Sequence, residues 1–173
     1  MERRGKKKIK IHCFVDKKFK EEFSDWKKFI REILDYSGKH LKVPINIEIS
    51  KWNNEELPRK FNSYLGDLNK KMVKSDINIG FTGKEFFIDA PFNCGMALDK
   101  SVIVAKFFPV KIPLLYRYGL KKLTLHELGH MFYLKDSFGW KFSIMDNFWG
   151  IITSRFTKKE RGIIKKVYKS KYS

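Results

Sequence analysis

The sequence predicts an α/β (α+β) fold: one domain built on a mixed, twisted sheet with backing helices and a closing C-terminal helix. Three observations predict it. Residues 8–15 and 43–50 alternate apolar and polar side chains, the period of a half-buried strand. The stretches that follow each of them place apolar residues at helical spacing instead. A chain of 173 residues with 43% hydrophobic and 16% aromatic content can fill one core, and it is too short for two comfortable ones.

Taken in order, residues 8–15 open the sheet. Residues 17–36 carry Phe19, Phe23, Trp26, Phe29, Ile30, Ile33 and Leu34 on a helical stripe, which Ser37 and Gly38 are expected to end. Residues 43–50 form a second strand, with Pro44 suited to its start. Residues 55–74 read as a second amphipathic helix, entered through Asn53, Asn54 and Pro58, with Phe61, Leu65, Leu68 and Met72 inward. Short strands are expected at 75–80 and 86–89, and a nearly continuous apolar one at 102–107. Near the C-terminus Thr157 and Glu160 form a capping-box pattern, and Ile163, Ile164, Val167 and Tyr168 share one helical stripe.

The chemistry concentrates in residues 120–134, Leu-Lys-Lys-Leu-Thr-Leu-His-Glu-Leu-Gly-His-Met-Phe-Tyr-Leu, an apolar helical segment without proline. His126 and His130 lie one turn apart on one face, so two imidazoles can hold one metal at about 2.0–2.1 Å. Glu127 sits beside them, placed to take a proton from water. This is the residue pattern of metal-assisted hydrolysis. His12 and His40 lie outside the pattern and read as surface or hydrogen-bonded core residues.

Asp136 follows ten residues after His126, and Met145 follows within Ser143, Ile144, Met145 and Asp146. With these residues the chain resembles the metzincin metallopeptidases, and among them the archaemetzincins. The likeness extends upstream to residues 78–88 (Asn-Ile-Gly-Phe-Thr-Gly-Lys-Glu-Phe-Phe-Ile), 93–97 (Asn-Cys-Gly-Met-Ala) and 99–107 (Asp-Lys-Ser-Val-Ile-Val-Ala-Lys-Phe), covering about 77–148. Residues 61–64 (Phe-Asn-Ser-Tyr) are more weakly similar, and residues 155–168 are similar to the closing helix of many metzincins.

The resemblance implies a metzincin-like, zincin-like single domain over 1–173. Residues 1–132 would form an upper part that includes the active-site helix, and 133–173 a lower part with a Met-turn and the C-terminal helix. It implies a zinc-dependent peptidase that uses metal-activated water, with His126, His130 and Asp136 as ligands of one zinc ion and Glu127 as general base. Met145 would be the structural floor beneath the metal. Ser101, Val102, Ile103, Val104 and Ala105 would pair with an extended peptide or protein substrate as an edge strand. Asn147, Phe148, Trp149 and Gly150 would either pack into the core or line the pocket for the residue after the scissile bond. Two departures stand out. Tyr133 occupies the place of the family glycine, where a left-handed residue other than glycine costs about 1–2 kcal/mol, so the turn is expected to be strained or routed differently. Ser137 and Phe142 replace cysteines that hold a further zinc in archaemetzincins, which implies one ion rather than two. Asp146 or Glu160 is the alternative third ligand.

Cys13 and Cys94 are too few for a disulfide framework and read as structural thiols of a reducing compartment. No signal peptide, transmembrane span or cysteine-switch propeptide is evident, so a cytoplasmic location and no membrane partner are expected. The net charge of +18 is spread over many lysines. Such scatter reads first as a solvated surface rather than a dedicated nucleic-acid face, with a bias toward acidic peptides and non-specific association with polyanions or nucleic acid at low salt. The alternative to a peptidase is a catalytically weakened zincin scaffold acting as a basic nucleic-acid-associated protein, with Tyr133 as its mark.

Overall fold

A computed structural model describes residues 7–71, 73–84, 95–105, 113–137, 143–146, 153 and 155–172. Within them the protein is mixed α/β. Five strands, β1 (Ile9–Val15), β2 (Ile45–Lys51), β3 (Ile77–Phe81), β4 (Gly95–Leu98) and β5 (Ser101–Val104), make one sheet in the order β2-β1-β3-β5-β4. All neighbours are parallel except the β4–β5 hairpin. Its turn is Asp99 and Lys100, and Asp99 takes a left-handed backbone (φ 55°) that aspartate tolerates in a two-residue hairpin. Five helices complete the described elements: α1 (Lys17–Glu22), α2 (Trp26–Leu41), α3 (Phe61–Lys70), α4 (Pro113–Met131) and α5 (Lys158–Lys171).

The two-residue period of the strands divides the core into two layers. Ile9, Ile11, Cys13 and Val15 of β1, Ile77, Ile79 and Phe81 of β3, and Val102 and Val104 of β5 face the helices α2, α4 and α5. Phe14, Ile103 and Ala105 point to the opposite face, where Trp52 and Phe61, Tyr64, Leu65 and Leu68 of α3 cover them. The two crossover helices therefore lie on opposite faces of the sheet. A bidentate Arg117–Asp25 pair at 2.9 and 2.8 Å ties α4 to the start of α2, and the guanidinium stacks 4.1 Å over the Phe29 ring.

Several element boundaries differ from the sequence expectation for identifiable reasons. The first helix breaks at Phe23, so that Asp16 caps α1 through the Phe19 amide and α2 restarts at Trp26. Ser37 and Gly38 do not end α2. Ser37 Oγ bonds back to the Ile33 carbonyl, and Gly38 is where the helix closes on β2, a Cβ there lying 3.2 Å from Ile45 Cδ1. The helix stops instead at Lys42, in the left-handed conformation. α3 begins at Phe61 rather than 55, because the preceding segment is used elsewhere. Asn54 reaches the Asp16 carboxylate, and the carbonyls of Asn54 and Glu55 accept from the buried Lys84 ammonium. The expected inward Met72, the 86–89 strand, Phe107, Cys94, Phe142 and the 147–150 pocket segment lie outside the described residues.

Among the described residues no helix is long and apolar enough to cross a membrane. Cys13 is fully buried in β1, and burial pushes its thiol far above the ordinary range against a weaker pull from Arg31. With the thiolate disfavoured and the sulfur enclosed, Cys13 in a Cys94→Ser background should react with a chromogenic disulfide at pH 8 about 100-fold more slowly than a cysteine peptide. Labelling at the peptide's rate would mean that the central strand opens in the native state.

Candidate metal centre

The C-terminal turns of α4 carry His126, Glu127 and His130, and the chain reverses immediately after them. The reversal is a Schellman motif. The Leu134 amide bonds to the Gly129 carbonyl at 3.3 Å and the Tyr133 amide to the His130 carbonyl at 2.9 Å, with Tyr133 itself left-handed at φ 60°. The tyrosine thus takes the backbone conformation that glycine would occupy. Its side chain is 67% exposed, so no packing resists the turn, and the two hydrogen bonds offset part of the conformational cost. The chain therefore returns toward the metal face rather than continuing as helix.

That reversal delivers Asp136 to the two histidines. Its Oδ1 lies 3.1 Å from His126 Nε2 and 3.4 Å from His130 Nε2. One donor atom from each of the three residues falls within 4.8 Å of the others, so the group could hold a metal ion. The donor chemistry fits. Each histidine places Nδ1 at 2.8 Å from a backbone carbonyl, His126 from Ile144 and His130 from Leu134. A carbonyl only accepts, so each Nδ1 carries a proton, and a ring that gives up its Nε2 proton to bind an ion would present that nitrogen's lone pair to it.

A short turn at residues 143–146 holds this arrangement from below. The Ile144 carbonyl orients His126, the Met145 carbonyl accepts from the Ser137 amide at 2.8 Å, and Ser143 Oγ donates to Glu160 Oε2 at 2.6 Å. Ser137 is the residue after Asp136, so its bond to Met145 fixes where the carboxylate emerges. Glu160 closes the predicted capping box with Thr157 at the start of α5. Met145 is fully buried against α4, where a Cβ on Gly129 would lie 2.5 Å from its sulfur. Only a glycine admits the methionine this close. Asp146 is buried outside the donor group and Glu160 is occupied by the cap, so the structure does not bring either alternative third ligand to the histidines.

Glu127 is buried beside the donors. Burial pushes its carboxyl up to about 7; the His126 charge draws it down and Asp136 adds to the rise. Asp136 is shifted the other way, held below the usual carboxylate range chiefly by the His126 hydrogen bond against the effect of its own burial. Burial works against protonated His126, but Asp136, Glu127 and the Ile144 carbonyl together outweigh it and raise its pKa. A residue that sequence reasoning passed over encloses Glu127. Gly95, the first residue of β4, lies so close that a Cβ on it would sit 2.6 Å from Glu127 Oε1 and 2.7 Å from Cγ. A glycine inside a strand marks close approach of another group, but the sequence predicts no strand at 95–98, so the signal emerges only with β4.

The expected substrate strand requires correction. Ser101, Val102, Ile103 and Val104 form β5, which pairs with β3 on one side and β4 on the other, and Ala105 continues from it buried. Its backbone groups are engaged on both flanks, so it is not an edge. Among the described residues the edge beside the metal face is β4. His12 and His40 stand apart from the centre, bonded to Ser50 Oγ and the Tyr36 carbonyl at 2.8 Å each. No family model matches the chain, and no curated protein matches it either.

The contact between Gly95 and Glu127 has a measurable consequence. Gly95→Ala should lower stability in urea unfolding by about 1–3 kcal/mol through overpacking. In a Glu127→Ala background the same change should cost less than about 0.5 kcal/mol, because the group it strikes is gone. Equal losses in both backgrounds would assign the constraint to the strand rather than to Glu127.

Proposed function

We propose that the protein is a zinc-dependent peptidase of the archaemetzincin-like metzincin kind, a hydrolase acting in the cytoplasm on peptides or proteins. The observation that carries this reading is the convergence of His126, His130 and Asp136 beside a buried glutamate, with both histidine Nδ1 atoms held by backbone carbonyls so that Nε2 faces the carboxylate. Two histidine nitrogens and one carboxylate oxygen would supply three ligands to zinc, the number that catalytic rather than structural sites draw from the protein. The free Cys13 thiol agrees with a reducing compartment.

When bound, zinc would polarise a peptide carbonyl and lower the pKa of water toward about 7. Glu127 is the proton carrier of the reaction. Its buried carboxyl would accept a proton from the attacking water and return it to the leaving nitrogen. Gly95 and the α4 backbone hold that carboxyl in place, and Asp136 contributes negative charge to the site. An extended peptide would lie along the β4 edge, whose first residue touches the general base, rather than along interior β5. Tyr133 gives no support to a scaffold that has lost catalysis, because it adopts the left-handed turn that returns Asp136.

Purified protein should contain about one equivalent of zinc, removable by a strong chelator and restored by added Zn²⁺. Glu127→Gln should keep the metal and lose peptide hydrolysis by about 100-fold or more; cleavage at the wild-type rate would defeat the mechanism. Asp136→Ala should weaken zinc binding at least about 10-fold in competition with a chromophoric chelator. Unchanged affinity would remove Asp136 from the ligand set.

A further inference from the structure

The positive charge is unevenly distributed. From residue 100 onward the chain has sixteen lysines and arginines but only four acids, Glu127, Asp136, Asp146 and Glu160. Each acid is already committed: Glu127 and Asp146 are buried, Asp136 faces the two histidines, and Glu160 holds the α5 cap and Ser143. Elsewhere four basic side chains of the described residues have acidic partners, in Lys17–Glu21, Lys71–Asp67, Arg117–Asp25 and Lys121–Glu32. On α5, among the described residues, none do.

The apolar stripe of α5, Ile164, Val167 and Tyr168, is buried in the core. The opposite face centres on Gly162, which is exposed and has no atom within 4 Å of a Cβ placed on it. Its helical neighbours three and four residues away are Lys158, Lys159, Lys165 and Lys166, all exposed. A glycine in an exposed helix interior weakens the helix, and four like charges around it repel. Neither feature stabilises the isolated protein. Together they make a shallow notch of bare backbone ringed by four ammonium groups.

We propose that the ring of Lys158, Lys159, Lys165 and Lys166 around Gly162 is a docking surface for the phosphodiester backbone of nucleic acid. Regularly spaced ammonium charge is what such a backbone requires, and residues four apart on a helix rise by about 6 Å. A protein partner would need an apolar or aromatic anchor, which this face lacks. An anionic membrane would be held by a helix that inserts its apolar side, and α5 has that side in the core. The surface lies outside the metal centre and does not depend on its chemistry.

The test exploits a matched pair of helical glycines, since Gly66 of α3 also has nothing within 4 Å of a Cβ. Binding of the full chain to a labelled single-stranded oligonucleotide of about 20 residues would be followed by fluorescence anisotropy at about 0.1 M salt. Gly162→Glu, which puts a carboxylate at the centre of the ring, should weaken binding about tenfold and flatten the salt dependence by about one unit of slope. Gly66→Glu, with the same change in net charge, should weaken it less than about twofold, and Gly162→Ala should leave it unchanged. Replacing the four lysines by glutamine should reproduce the loss without adding a side chain at Gly162. Equal weakening by the two glutamate variants, absence of binding, or binding to phosphatidylserine vesicles but not to the oligonucleotide would overturn the proposal.

Discussion

The hydrogen bond from His126 Nδ1 to the Ile144 carbonyl joins the parts of the molecule on which the candidate metal centre depends. It ties the helix bearing the histidines to a turn that is itself bonded to the segment after Asp136 and, through Ser143, to the start of α5. One turn at residues 143–146 therefore sets a tautomer, positions a carboxylate and anchors a helix. Because these bonds lie in or near buried surroundings, leaving any one unmade would expose a polar group to a cost of about 1–3 kcal/mol. The arrangement stands or falls as a unit.

Above the helix, the sheet supplies the second constraint. Parallel β1, β2, β3 and β5 need crossover connections, and these place α2 and α3 on opposite faces, leaving α4 to pack beside α2. The antiparallel hairpin then lays β4 across the end of the sheet and over Glu127. Gly95 and Gly129 are the two points of closest approach, the first to the carboxylate and the second to the Met145 sulfur. Both are places where a side chain on the glycine would move a functional or supporting group rather than solvent. Burial under β4 is also what raises the Glu127 carboxyl, so strand packing and acid–base character are one effect.

Charge follows a different logic from packing. At the candidate metal centre the exposed Asp136 carboxylate and the buried Glu127 lie against the two histidines, while the outer face of α5 carries cations around an open glycine. The capping box links the two, since Glu160 nucleates α5 and also accepts from Ser143 beneath the centre. A helix that closes the core thus presents an outer face with a charge pattern that core packing does not require.

Interactions within one element were legible in the sequence. His126 and His130 share a face because they are one helical turn apart, Thr157 and Glu160 cap α5 because they are three residues apart, and the alternation of Ile9, Ile11, Cys13 and Val15 sends them to one layer. These depend only on local geometry. Tertiary structure decided what depends on segments remote in the chain. It split the first helix at Phe23, drew residues 54 and 55 out of the second to meet Asp16 and Lys84, and made β4 rather than β5 the edge. It also brought Gly95 against Glu127 and turned Tyr133 left-handed so that Asp136 meets the histidines. Spacing can state that five residues suffice for such a reversal. Only the bonds from Ser137 to Met145 and from Leu134 to Gly129, made after the chain has folded, determine that it occurs.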